Sequence, residues 1–323
     1  MSHELEIAKN GEANMAFVGE TPWHGLGKRV PNDVSPEQML KAANLDWSVS
    51  KKQLFFNSEG GLVPTKAQAL VRSTDNKVLT VVSDNWNPVQ NLEAFEFFND
   101  FVHAGDMEMH TAGSLKGGKM VWAMAQIKDS FTLFGGDKVE GYLLFSNPHE
   151  FGRSIDVRFT PVRVVCNNTL SLSLDQEAQR SVRVGHRVEF NANEVKKALG
   201  IASDKLKTYK EMAEFLGSRP FSVENMLNYY NEVFPLTSGS NEDEVIYETL
   251  SGQAKNCVDN LQTQPGAEYA EGSWWQVFNA ATYVTDHIHG RNADNRLHSQ
   301  WYGQNQLRKI KAAEKAVEYA NAA

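Results

Sequence analysis

The feature that most restricts what this chain can become is a change of period. Over residues 46–83 and again over 107–190, apolar residues alternate with polar ones, the two-residue repeat of half-buried strands. Beyond Asn191 they recur at the spacing of amphipathic helices. Trp47 and Val49 alternate with polar neighbours, and the apolar runs at 67–72 and 78–82 flank Asp75-Asn76, which reads as a hairpin. Between these strands and the next set, Leu92, Ala94, Phe95, Phe98, Phe101 and Val102 have helical spacing and a wide apolar face, so a helix should pack across the sheet. Further strands are expected at 107–112, 120–127, 139–145, 154–165 and 182–190. Helices are expected at 192–201, 205–216, 223–234, 245–261, 273–287 and 307–322. Ahead of all this, the first thirty residues are Gly-rich and irregular, and Ser35-Pro36 opens a short helix ending near Asn44. The expected fold class is α+β, an antiparallel sheet with a packed helix followed by a mostly helical C-terminal region. The expected domains are 1–190 and 191–323.

With 323 residues, 41% of them hydrophobic and 22% charged, the chain can bury a sizeable core, which excludes collagen-like, disordered and disulfide-scaffold classes. Thirty-two Lys and Arg stand against forty Asp and Glu, a net charge of −8, so bulk basicity of the kind that coats DNA is excluded while a local basic groove is not. The two cysteines, Cys166 and Cys257, lie far apart, which suits a reducing compartment and provides no thiolate zinc site. No run reaches the roughly 18 apolar residues of a membrane span, and the start, MSHELEIAKNGE, lacks the profile of a secretory signal. The expectation is a cytoplasmic protein with no membrane partner.

Gly113-Ser114-Leu115-Lys116-Gly117-Gly118-Lys119 has the spacing of a phosphate loop, but Met120 stands where Ser or Thr would hold magnesium, and a strand pattern follows where a helix is required. A hairpin turn tipped by Lys116 and Lys119 is the expectation, and such a turn suits a phosphate contact. Asp286-His287-Ile288-His289, with His298 beyond, has metal-ligating residue types at spacings that do not share a helical face, so no metal and no cofactor are expected. The common hydrolase, metalloprotease and kinase signatures do not occur.

Arg153, Arg158 and Arg163, followed by Arg180, Arg183 and Arg187, form a positive strip inside an acidic chain. Two readings stand. Arg158 shares strand parity with Asp156, so the arginines can be neutralised in cross-strand pairs. Alternatively Lys116, Lys119, Arg153, Arg158 and Arg163 hold a phosphate backbone while Trp86, Trp122 or Phe159 offer ring faces to bases. A separate polar pocket could be formed by Trp23, His24, Asn167 and Asn168.

Several blocks of uncommon residues occur in one order: Thr21-Pro22-Trp23-His24-Gly25-Leu26-Gly27; Pro88-Val89-Gln90-Asn91 with Glu93-Ala94-Phe95; Thr111-Ala112-Gly113-Ser114-Leu115 with Gly117-Gly118 and Val121-Trp122; Pro161-Val162-Arg163-Val164-Val165-Cys166-Asn167-Asn168-Thr169-Leu170; and Asn279-Ala280-Ala281 with Tyr283 and Asp286-His287. In these the chain resembles, over nearly its whole length, the phage/plasmid-like family of unknown function also called DUF932. It departs at Asn147-Pro148-His149-Glu150-Phe151-Gly152, where a more polar His-Asp-Gly type of turn is expected. The resemblance implies a mobile-element origin and the cytoplasm of a bacterial host. The order of its strands and helix is similar, as an analogy of topology, to the ββα core of Rad52-like annealing proteins.

The leading functional expectation is a nonenzymatic, homo-oligomeric protein that binds or anneals single-stranded DNA in the recombination or replication of a phage or plasmid. The alternatives are an enzyme that processes nucleotides or nucleic acids at the Trp23–His24 pocket, and a phage assembly or host-interaction protein.

Overall fold

The computed structural model describes residues 5–8, 10–20, 25–163, 168–169, 182–199, 202–236, 245–289, 299–301 and 303–322. The chain forms two compact units, one holding residues 1–128, 142–158 and 181–200, the other 129–141, 159–180 and 201–323. The division is interleaved rather than a single cut, and each unit has its own core.

In the first unit, β1 (Met15–Val18) and β2 (Lys28–Val30) pair in parallel. Helix α1 (Pro36–Ala42) begins where the sequence places it. Gln38 N donates to Ser35 Oγ, Ser35 N donates to the Gln38 side chain, and Pro36 takes the first helical position. Strands β3 (Val49–Ser58), β4 (Gly61–Arg72) and β5 (Val78–Ser83) then form a three-stranded antiparallel sheet in the order β3-β4-β5. The Asp75-Asn76 turn is present, with Asn76 at φ 56°, a conformation Asn tolerates.

The helix expected between Leu92 and Val102 is two short ones, α2 (Asn91–Glu96) and α3 (Asn99–His103). They part at Phe97 and Phe98, whose rings both reach Phe145, at 5.1 and 6.3 Å. Consecutive residues of a regular helix point about 100° apart, so bringing two neighbouring rings to one buried partner requires the break.

Strands β6 (Met107–Leu115), β7 (Met120–Leu133) and β8 (Asp137–Pro148) run longer than the alternation implies, while β9 (Ile155–Arg163) lies within the expected 154–165. They lie side by side in the order β9-β8-β7-β6-β1-β2, with β6 antiparallel to both β1 and β7. The two-residue β10 (Asn168–Thr169) pairs with the end of β9, and β11 (Val182–Val184) pairs with its beginning. The strand expected to reach residue 190 stops at Val184, because the next turn delivers His186 onto Trp86. Helix α4 (Ala192–Leu199) closes the unit.

The second unit contains α5 (Ala202–Gly217), α6 (Val223–Val233), α7 (Gly252–Asp259), α8 (Trp274–Tyr283) and α9 (Gln304–Ala322). Ser222, Ser251 and Ser273 cap three of these through their hydroxyls. The helix expected from residue 245 starts only at Gly252. Before it, the Thr249 hydroxyl folds back on Ile246, accepting from its N–H and donating to its carbonyl. Tyr209, Tyr229, Tyr230, Trp274, Trp275 and Phe278 fill the core, and the Trp275 indole donates to buried Asp137 at 3.0 Å. After α8 the backbone takes one π-helical turn over Val284–Ile288. The carbonyls of Thr285 and Asp286 there accept from Asn305 and Gln300.

Candidate nucleic-acid interface

Three chain reversals of the first unit meet at one end of its sheets. The β6–β7 reversal is the short turn Lys116–Gly118, in which Lys116, Gly117 and Gly118 all have positive φ, 53°, 64° and 93°. Glycine accepts this backbone freely, whereas Lys116 is held there against its own preference. At Gly118 there is no room for a side chain either: a Cβ would lie 2.6 Å from the Arg72 guanidinium. The β4–β5 reversal supplies Lys77, whose ammonium donates to the Gly117 carbonyl at 2.8 Å. The β8–β9 reversal, Glu150 to Arg153, joins through His149 N–H to the Lys119 carbonyl at 2.8 Å and Phe151 N–H to the Thr80 hydroxyl at 3.4 Å.

Lys77, Lys116, Lys119 and Arg153 are thereby gathered on one rim, all at least partly exposed, with the Phe151 ring 58% exposed among them. The acids nearby are mostly committed elsewhere. Beneath the turns, the buried Arg72 guanidinium binds Glu6 at 2.6 Å and Asp75 through two nitrogens, at 3.0 and 2.7 Å, and lies 5.2 Å from the Trp47 ring centre. The Arg72 hydrogen bonds hold the Asp75 carboxyl down at about 2. Glu150 is the rim's own carboxylate, 3.5 Å from Arg153.

Of the residues singled out in the sequence, Lys116, Lys119 and Arg153 thus come together and Arg158 does not. Arg158 is 7% exposed, and its guanidinium donates to Asp156, also buried, at 2.5 Å. Asp156 accepts from Arg183 as well, at 3.3 Å. The first of the two sequence readings, a paired arginine, describes Arg158. Trp86, Trp122 and Phe159 are corrected too: all three rings are core, at 4%, 2% and 6% exposure, so none offers a face to a base. The Arg163 side chain, Trp23, His24, Asn167 and the Asn168 side chain lie outside the described residues.

Lys77 and Phe151 complete the rim and were missed. Lys77 directly follows the Asp75-Asn76 turn and so had a local signal, since a residue after a hairpin turn reaches solvent. Phe151 had none, because an isolated aromatic in a turn reads equally well as core.

Behind the rim the segment Trp86–Asn91 is pinned from several sides. His186 stacks on Trp86 at 4.0 Å, and its Nδ1 lies 3.0 Å from the Asn87 carbonyl. Asn147 donates to the Val89 carbonyl, and His149 Nε2 lies 2.8 Å from Asn91 Oδ1. Asn91 itself donates to the carbonyls of Leu45 and Trp47. Burial, with smaller contributions from His186 and Arg72, drives the His149 imidazole down to about 3, so it is neutral throughout the physiological range.

In the second unit, the Asp286-His287-Ile288-His289 group does not form a ligand set. Asp286 pairs with Lys309 at 2.8 Å, both 1% exposed, and His289 accepts from Arg308 at 2.9 Å. Among the described residues, no three His, Cys, Asp or Glu side chains stand close enough to hold a metal ion, and no helix is long and apolar enough to cross a membrane.

The chain thus combines a mainly antiparallel α+β unit, which carries a cationic rim built on turns, with a mainly helical unit. The chain belongs to the family described as Domain of unknown function (DUF932), which matches residues 78–312. No curated protein and no solved structure matches it.

Proposed function

We propose that this chain is a nonenzymatic binding or annealing protein for single-stranded DNA, serving recombination or replication of a phage or plasmid, and that the strand lies along the rim. The observation that carries this reading is the meeting of Lys77, Lys116, Lys119 and Arg153 around the exposed Phe151 in a chain of net charge −8. Ammonium and guanidinium groups on turns can follow a phosphate backbone without reading sequence, and an exposed ring stacks on any base, worth about 1–3 kcal/mol per base. A single ring leaves most bases free to pair with a second strand, as annealing requires.

The test is fluorescence anisotropy with a labelled oligothymidine over a salt series, together with an annealing assay on complementary oligonucleotides. The triple variant Lys116→Ala, Lys119→Ala, Arg153→Ala should bind about ten- to a hundredfold more weakly. Its plot of log affinity against log salt should be shallower by about 2, three lost contacts at about 0.7 each. Equal affinity and equal slope in the triple variant would overturn the proposal.

A further inference from the structure

The β3-β4-β5 sheet has a second face that the strand-binding reading does not use. Cross-strand partners share a face, so the register places Val49, Leu70, Arg72 and Val82 on the side turned to the core, where all are buried. The opposite face carries Ser50, Lys52, Leu54 and Phe56 from β3, Val63, Ala67, Ala69 and Val71 from β4, and Val78, Val81 and Ser83 from β5. An antiparallel sheet with one face on a core turns a polar face to water. This one is mainly apolar instead, with Phe56 at 53%, Val63 at 38%, Val78 at 54% and Val81 at 48% exposure, while at the hairpin tip Phe55 and Leu62 are exposed on the first face.

We infer that this face is where a second copy of the chain docks, sheet on sheet about a two-fold axis. Charge argues for a copy first. Two molecules of net charge −8 repel, yet the three strands contain no acidic residue in a chain that has forty, and Lys52 is the only charge on the face. Identical anionic chains meet at least cost there, while one ammonium is too few to hold a nucleic acid or an anionic membrane.

Shape argues the same way. The small Ala67 and Ala69 lie between Leu54 and Phe56 towards the hairpin tip and Val71 and Val78 towards the base, with Val81 directly opposite Ala69. A two-fold axis lays Phe56 of each copy over the alanines of the other, the self-complementarity that an isologous contact requires. The exposed apolar side chains amount to on the order of 400 Å² per copy, the scale at which patches on a monomer mark contact sites. Doubled by symmetry they give roughly 800 Å², and the polar margin brings this to the lower limit of stable interfaces at about 1,000–1,200 Å². An interface at this lower limit is that of a weak, reversible dimer.

Sedimentation velocity of the full chain from about 1 to 100 μM is the test, a span that brackets a micromolar dissociation constant. The wild type should shift from monomer to dimer over that span. Val81→Asp and, separately, Phe56→Ser should remain monomeric at the top concentration, with thermal midpoints and oligothymidine affinity unchanged, since neither residue touches the rim. Val63→Lys, near the hairpin tip of the same face, is the reserve variant should either of these lose its fold. A wild type that stays monomeric, or a dimer that survives in the folded variants, overturns the inference.

Discussion

Arg153 and Arg158 belong to the same turn-and-strand segment, yet they meet opposite fates. Arg153 sits in the β8–β9 reversal, partly exposed and loosely paired with Glu150, while Arg158 sits inside β9 against Asp156. From Ile155 to Pro161 every residue of β9 is buried, so the strand is covered on both faces and alternation no longer sends every second side chain to solvent. A cation in such a strand has to bring its own carboxylate. On the reversals the cationic side chains stay at least partly exposed, and the reversals are where the rim is built.

The largest effect that separates the two sites is expected from Arg158→Ala. It leaves the buried Asp156 with Arg183 alone, and removing one partner of a buried pair costs about 3–5 kcal/mol. Urea denaturation should show a loss of that size, with oligothymidine affinity of the folded protein unchanged. Weakened strand binding at full stability would instead return Arg158 to the interface.

An intermediate effect is expected from His149, which joins the rim to the core through its backbone. Its imidazole titrates near 6.5 when unfolded and at about 3 when folded, so the unfolded chain binds the extra proton between those values. Its contribution to stability is complete above about pH 6.5 and is lost as pH falls towards 3, at no more than about 1.4 kcal/mol per pH unit. Denaturation midpoints measured from pH 7 to 4 should fall less steeply in His149→Gln than in the wild type. Parallel curves would place the acid sensitivity elsewhere.

The smallest effect belongs to the rim itself. Glu150→Gln frees Arg153 from a partly exposed pair worth about 0–1 kcal/mol, so strand affinity should rise about two- to fivefold with little change in stability. A drop in affinity would mean that Glu150 positions Arg153 rather than competing with DNA for it.

The architecture was largely legible because its signals are local. Ser35-Pro36 and the Asp75-Asn76 turn each act within a few residues, and the structure keeps them. The strand pattern that follows Lys119 disqualifies the phosphate-loop spacing from the sequence alone. What could not be read were outcomes decided across the fold: the break at Phe97-Phe98, set by Phe145, and the early end of β11, set by Trp86. The same holds for the rim. Lys116 and Lys119 were visible as a pair, but their meeting with Arg153 depends on a hydrogen bond between Lys119 and His149, residues of different reversals.

Glu6 gives the molecule an unusual dependence on its beginning. Its carboxylate holds Arg72 on one oxygen and the Ser114 hydroxyl on the other, and its backbone pairs with Ser114 and Asn14. A few residues near the start thus act as a keystone under loops that are synthesised much later. Removing Glu6 would take from the buried Arg72 guanidinium one of its two carboxylate partners and leave it with Asp75 alone.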